Sequence, residues 1–167
     1  MSENSQTNYL ESVTKQFLYY KKLADQSIQQ LEPQQLFSQP NENSNSIAVV
    51  IKHLVGNMIS RWTDFLTTDG EKPNRNRDGE FENDITDKKI LMQRWEEGWK
   101  VFLDTLASIK PEDLNRTIYI RGEAHSAMEA INRQLAHYSY HVGQITYTCK
   151  LLKDTEWNSL SIPKKKS

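Results

Sequence analysis

His137 and His141, four residues apart, are the pair in this sequence best spaced to act together on one ion. Neutral imidazole is the commonest side-chain metal ligand, and positions i and i+4 of a helix project on the same side. At about 100° per residue the pair falls beside an apolar stripe of Ile131, Leu135, Tyr138, Val142 and Ile145, with Gln134, Gln144 and Thr148 alongside. Such a polar strip either lines an interior cleft or faces water, and spacing alone leaves both open. His53 shares its side of the helical wheel with Asn57 and Ser60, away from the apolar centre of its segment, so periodicity reads it as a surface histidine. His125, just ahead of Ser126, reads as a loop residue and is not counted as a ligand. The single cysteine, Cys149, can form no internal disulfide and cannot build a thiolate zinc site, so a metal would rest on histidine and carboxylate. Cys149 falls on the apolar face of its helix and reads as a small buried hydrophobe rather than a nucleophile.

Four amphipathic segments must position these groups. The first carries Leu10, Val13, Phe17, Tyr20, Ala24, Ile28 and Leu31 at three-and-four spacing, and Pro33 closes it. The second opens after the polar stretch Asn41 to Ser46 and runs through Ile47, Ile51, Leu54, Met58, Trp62 and Phe65. A third starts near Thr86 as N-cap and passes Leu91, Trp95, Phe102 and Leu106 to Ile109, with Pro111 just beyond. The fourth opens on Ser126 and Glu129, the spacing of a capping box, and reaches about Leu152. Between the last two, Thr117 to Arg121 alternates polar and apolar and meets Gly122, which predicts a short strand or hairpin. Trp62, Trp95, Trp99 and Phe102 read as core. The expected fold is all-α: an antiparallel four-helix bundle with a small β-hairpin or strand between helices three and four, in one domain over 1–167 with a disordered tail from about 160.

One long crossover, Thr67 to Ile85, departs from the short links of a simple bundle. It is dense in charge and reads equally as a solvated connection or as a lid over a site. The formal net charge of -1 gives no electrostatic reason for a nucleic-acid partner, and Lys164 to Lys166 is too short a basic run to supply one. No apolar run is long enough to span a bilayer. The residues from Met1 to Ser12 have neither the basic start nor the apolar centre of a secretory signal, so the cytoplasm is the expected compartment.

The segment Ser46-Ile-Ala-Val-Val-Ile-Lys-His53-Leu-Val-Gly-Asn57 resembles the second helix of DinB/YfiT-like proteins, which supplies their first metal histidine. Leu135-Ala-His137-Tyr-Ser-Tyr-His141-Val-Gly-Gln144-Ile145 is similar to their fourth helix, where a His-x-x-x-His pair supplies the other two. Residues 69–82 resemble the loop of an uncharacterised branch related to the bacillithiol S-transferase-like metalloproteins. The resemblance covers helices two to four and leaves helix one generic. It implies that His53, His137 and His141 bind one divalent ion, zinc or nickel, with open positions for water or substrate. Asn57 and Gln144 would be the candidates to orient those histidines through their other ring nitrogens.

Such an ion lowers the pKa of a bound water or holds a bound thiol as thiolate. Related enzymes in the superfamily are thiol S-transferases and a thiol-dependent isomerase, so the resemblance implies a metal-dependent thiol S-transferase using a low-molecular-weight thiol, with a hydrolase as the other enzymatic option. Arg75 and Arg77, if the loop folds over the open end, would pair with a carboxylate on the thiol or substrate. The competing expectation is a non-catalytic metal-binding or stress-response bundle. A small-molecule substrate and a homodimer, paired through helix faces, complete the expectations.

Overall fold

A computed structural model describes residues 2–162. Lys164 to Lys166 and most of the expected tail lie outside them. Four long helices carry most of this span: α1 (Glu3–Gln29), α2 (Ile47–Trp62), α3 (Lys88–Ser108) and α4 (Ala127–Lys153). A two-stranded antiparallel hairpin, β1 (Thr117–Ile120) and β2 (Glu123–Ser126), stands between α3 and α4. Helix α1 packs along α4 and α2 along α3, while α2 also touches α4. No helix among the described residues is long and apolar enough to cross a membrane.

Each helix begins where a side chain can answer its free amides. Ser46 Oγ accepts from Val49 N at 3.2 Å to open α2, and Ser126 with Glu129 forms the expected capping box of α4. Helix α3 is capped by Asp87, not Thr86: its carboxylate accepts from the amides of Lys89 and Ile90, two bonds that a single hydroxyl at Thr86 does not make. Helix α1 begins on Ser2, well before Leu10, because a polar first turn needs only a cap and not an apolar stripe. Helix α2 stops at Trp62, and Asp64 takes a positive φ of 50° that turns the chain. Phe65 therefore lies beyond the helix, yet it is buried and stacked on Trp62.

All four helices meet in one aromatic core. Phe17 of α1 meets Phe102 of α3 edge-on at 4.5 Å, and Phe102 meets Trp62 of α2 at 4.7 Å and Tyr138 of α4 at 5.3 Å. Edge-to-face pairs contribute about 0.5–1.5 kcal/mol each beyond their burial. The expected core tryptophans Trp62, Trp95 and Trp99 are fully buried.

Cys149 lies fully buried in the same core, and burial pushes its thiol up to about 12. A thiolate is therefore scarce at neutral pH. Iodoacetamide at pH 8 is expected to leave the native protein unlabelled over hours and to label it fully in 6 M guanidinium; rapid native labelling would contradict this packing.

The hairpin turns on Arg121 (φ 56°) and Gly122 (φ 75°), the paired positive φ of a two-residue type I′ turn. The strain at Arg121 is held from outside. Asp69, in the 67–85 crossover, accepts from Arg121 N at 2.9 Å and from Gly122 N at 2.7 Å. Gly70 N then donates to Tyr119 O, and Ser60 Oγ of α2 donates to Gly70 O and accepts from Lys72 N. The crossover is thus tied to both the hairpin and α2. His125 sits on β2 opposite Ile118, a strand residue where the sequence suggested a loop.

Candidate metal centre

The apolar residues of α2 recur on almost every side, and the helix is buried on almost every side. Its polar side, which carries His53, Asn57 and Ser60, is covered by the returning crossover. A short 3-10 turn at Asp78–Phe81 lies against α2 and brings Glu80 to His53. His53 is consequently only 7% exposed, which replaces the surface reading given by periodicity. A helical wheel weighs a residue against its own helix and cannot register a loop that folds back from downstream.

His53 of α2 and the α4 pair His137 and His141 converge. His53 Nε2 lies 3.2 Å from His137 Nε2, and one ring nitrogen from each of the three histidines lies within 4.8 Å of the others. Two nitrogens held at about 2.0–2.1 Å from one tetrahedral ion stand roughly 3.3 Å apart. The group can therefore hold a metal ion, with His53 buried and His137 and His141 half-buried.

The opposite nitrogens are all engaged. His53 Nδ1 is 3.0 Å from Glu80 Oε2, His141 Nδ1 is 2.7 Å from Gln144 Oε1, and His137 Nδ1 is 3.1 Å from the Gln134 amide. A carboxylate or carbonyl acceptor at Nδ1 fixes the proton there and leaves the Nε2 lone pair free for an ion. For His137 this needs the Gln134 oxygen, which a 180° turn of the amide supplies.

Burial favours the neutral form of His137 and His141. Burial, together with the neighbouring His141 and His53 and the charges of Arg61 and Arg75, pushes His137 down to about 3. Burial likewise lowers His141, against the opposing hydrogen bond from Gln144. Glu80 is held below the usual carboxylate range: burial alone would raise it, but the hydrogen bonds and charges of His53 and Arg75 outweigh that. Neutral His137 and His141 and an ionised Glu80 are protonation states that metal binding requires.

The depressed His137 has a consequence for stability without metal. An unfolded histidine titrates near 6.5, so below that pH the unfolded chain takes up a proton that the native site refuses until about 3. Stability that is complete above pH 6.5 is lost as the pH falls through this window. The melting temperature of chelator-treated protein is expected to drop between pH 7 and pH 4.5, and to drop less in His137→Leu. Parallel pH profiles for the two proteins would contradict the burial of a neutral His137.

Gln144 meets His141, whereas Asn57 does not reach a histidine, and its Oδ1 is buried without a partner. Arg75 is turned inward: Nε and Nη2 bind the two Glu80 oxygens at 2.7 and 2.9 Å, and its side chain is 5% exposed. It is committed to Glu80 rather than held out for an incoming carboxylate. Arg77 stands over the Phe81 ring at 5.4 Å. Glu80 and Gln134 escaped the sequence reading, since a carboxylate in a charged loop carries no periodic signal and Gln134 looked like a neighbour only. One local sign was present: Gly56, an isolated glycine within α2, leaves the space that Glu80 fills, and a Cβ there would overlap the Glu80 carboxylate.

A family model described as a protein of unknown function, DUF1572, matches residues 4–166. A search of curated proteins found no match.

Proposed function

This chain belongs to the DUF1572 family of proteins of unknown function, and on that footing we propose that it is a metal-dependent enzyme, a thiol S-transferase built on a DinB/YfiT-like antiparallel four-helix bundle. The observation that carries the proposal is the convergence of His53, His137 and His141 through one nitrogen each while every opposite nitrogen has a hydrogen-bond partner. A divalent ion, zinc or nickel, would be held by these three residues with room for further ligands. When bound it supplies Lewis acidity, which favours ionisation of a thiol or water at physiological pH.

The protein's own groups do the rest. Glu80 holds the proton of His53 on Nδ1, and Gln144 does so for His141. Phe81, 39% exposed and 5.0 Å from the His53 ring, and Tyr140, 62% exposed and 4.9 Å from the His141 ring, stand beside the histidines. Two accessible aromatic faces beside a polar centre suit a small molecule with an apolar body. A second copy of the chain would pair along the exposed side of α4, where Tyr147 and Leu151 stand out, and the cytoplasm, with its thiol pool, is the proposed compartment.

The test is to load the protein with zinc or nickel and follow the transfer of a low-molecular-weight thiol to 1-chloro-2,4-dinitrobenzene. Turnover that needs the metal and disappears in His141→Ala is expected. Thiol consumption at the protein-free rate with every metal would remove the transferase reading.

One observation favours the non-catalytic alternative. A cleft of about 720 Å³ is lined by Gly56, Arg75 and Glu80 and not by the histidines. In that reading the metal serves structure or storage, and a loaded protein would show no turnover of any thiol or ester.

A further inference from the structure

Arg61 lies two turns beyond His53 on the same side of α2, at the i+8 position, with Asn57 between them at i+4. Its side chain is 9% exposed, and its Nε–H is buried with no hydrogen-bond partner. The nearest carboxylate oxygen, Glu71 Oε2, is 3.8 Å from Nη2, beyond hydrogen-bonding distance. A buried guanidinium left in this state is costly, and native proteins rarely leave one without a partner to complete it.

Glu71 cannot be that partner on its own. The same carboxylate is shared with Arg75 Nη1 at 3.3 Å and Arg121 Nε at 3.3 Å. Repulsion from Arg133 of α4, from Arg75 and from Arg121 acts on Arg61, and Lys72 lies within reach of its field. Against these five cations stand four carboxylates, Glu71, Glu80, Asp69 and Asp64. Asp69 is engaged by the backbone amides of Glu71, Arg121 and Gly122, and Glu80 by Arg75 and His53. The region next to the histidines therefore carries one more cation than carboxylates before any metal enters it, and it contains a guanidinium whose buried Nε–H has no partner and whose Nη2 has only a long contact to Glu71. Asn57, whose buried Oδ1 also lacks a partner, continues the row of unanswered polar groups from Arg61 toward His53.

We propose that Arg61 is a recognition residue for a small-molecule oxyanion, a carboxylate or phosphate, which docks on its guanidinium with Asn57 alongside and so presents the rest of the molecule to the three histidines. Only the chemistry after docking rests on the metal-enzyme reading; the anion site itself needs no metal. Anion recognition thereby moves from Arg75 and Arg77 to Arg61 in the last turn of α2, a residue not singled out by the sequence.

The test titrates succinate, inorganic phosphate and uncharged succinamide into wild type, Arg61→Gln and Arg61→Lys by isothermal calorimetry at constant ionic strength. Each protein is used chelator-treated and zinc-loaded, and the zinc content of each sample is measured. Saturable binding of succinate or phosphate, weakened about tenfold or more in Arg61→Gln as expected for a lost charge-assisted hydrogen bond, supports the proposal. Which of the two anions binds identifies the oxyanion. Arg61→Lys, which keeps the charge but loses the fork, is expected to fall between. If Arg61→Gln does not fold, the Arg61 15Nε shift of the wild type answers the same question, moving with the anion and not with succinamide. The proposal is overturned by equal binding in wild type and Arg61→Gln, by an Arg61 15Nε signal that does not respond, by succinamide binding as well as succinate, or by no saturable anion binding to either form. Anion binding in a protein that takes up no zinc would uphold Arg61 and remove the metal-enzyme reading, whereas zinc uptake without anion binding would remove Arg61 alone.

Discussion

Glu80→Ala is expected to destabilise the protein by about 3–5 kcal/mol, the cost of leaving one member of a buried ion pair without its partner. The Glu80 and Arg75 side chains are 8% and 5% exposed and bonded through both carboxylate oxygens, so removing the carboxylate takes both short bonds from a buried guanidinium of the crossover. Glu71 keeps its 3.3 Å contact with Arg75 Nη1 but, shared also with Arg61 and Arg121, does not replace the two lost bonds. The same substitution removes the acceptor on His53 Nδ1 and is expected to weaken metal binding by roughly 10–100-fold, the usual range for partners behind a ligating histidine. Urea unfolding of Glu80→Ala, Arg75→Met and the double variant Glu80→Met/Arg75→Met separates the two effects. The double variant should recover much of the stability, because the stranded charge goes with its partner, while metal affinity should stay low in every protein lacking Glu80. A Glu80→Ala protein within about 0.5 kcal/mol of wild type, the range of ordinary surface changes, would show that the crossover is not packed as described.

Zinc at about 100 times its dissociation constant is expected to stabilise the folded protein by about 2.7 kcal/mol. At roughly 2–4 °C per kcal/mol for a chain of this size, that is a rise in melting temperature of about 5–10 °C. The gain arises because the three nitrogens come from α2 and α4, which are far apart in sequence and are brought together only in the native state. Replacing His141 with alanine removes one of the three proposed ligands and should abolish most of the shift, while excess chelator should return wild type to its metal-free value. Differential scanning calorimetry with and without metal decides the matter, and a zinc-induced rise of equal size in His141→Ala would mean that the ion binds elsewhere.

Local rules were enough to place the helices that carry the site. The apolar spacing of residues 10–31, 47–65, 91–109 and 131–149 located all four, and the Ser126–Glu129 box fixed the start of α4. The His137–His141 pair follows from helix geometry alone, but its partner does not. His53 lies on the polar side of a helix whose polar side happens to be covered, and only resemblance singled it out. Glu80 was invisible for a related reason: its role depends on the crossover folding back onto α2, which is set by Asp69 clamping the hairpin turn and by Ser60 gripping Gly70 and Lys72. These are long-range polar contacts, and no periodicity encodes them. Arg75 and Arg77 read from sequence as partners for a carboxylate on the thiol or substrate if the loop folds over the open end, whereas Arg75 is drawn inward by the one carboxylate that also serves a histidine.

The central claim is that His53, His137 and His141 hold one metal ion. Elemental mass spectrometry of the untagged protein, purified and then reconstituted with zinc or nickel, tests it most directly alongside His53→Ala and His137→Ala. The account predicts close to one ion per wild-type chain and a large loss in both variants, each of which still folds by circular dichroism. An absence of metal in reconstituted wild type, or a metal content indifferent to both substitutions, would contradict it.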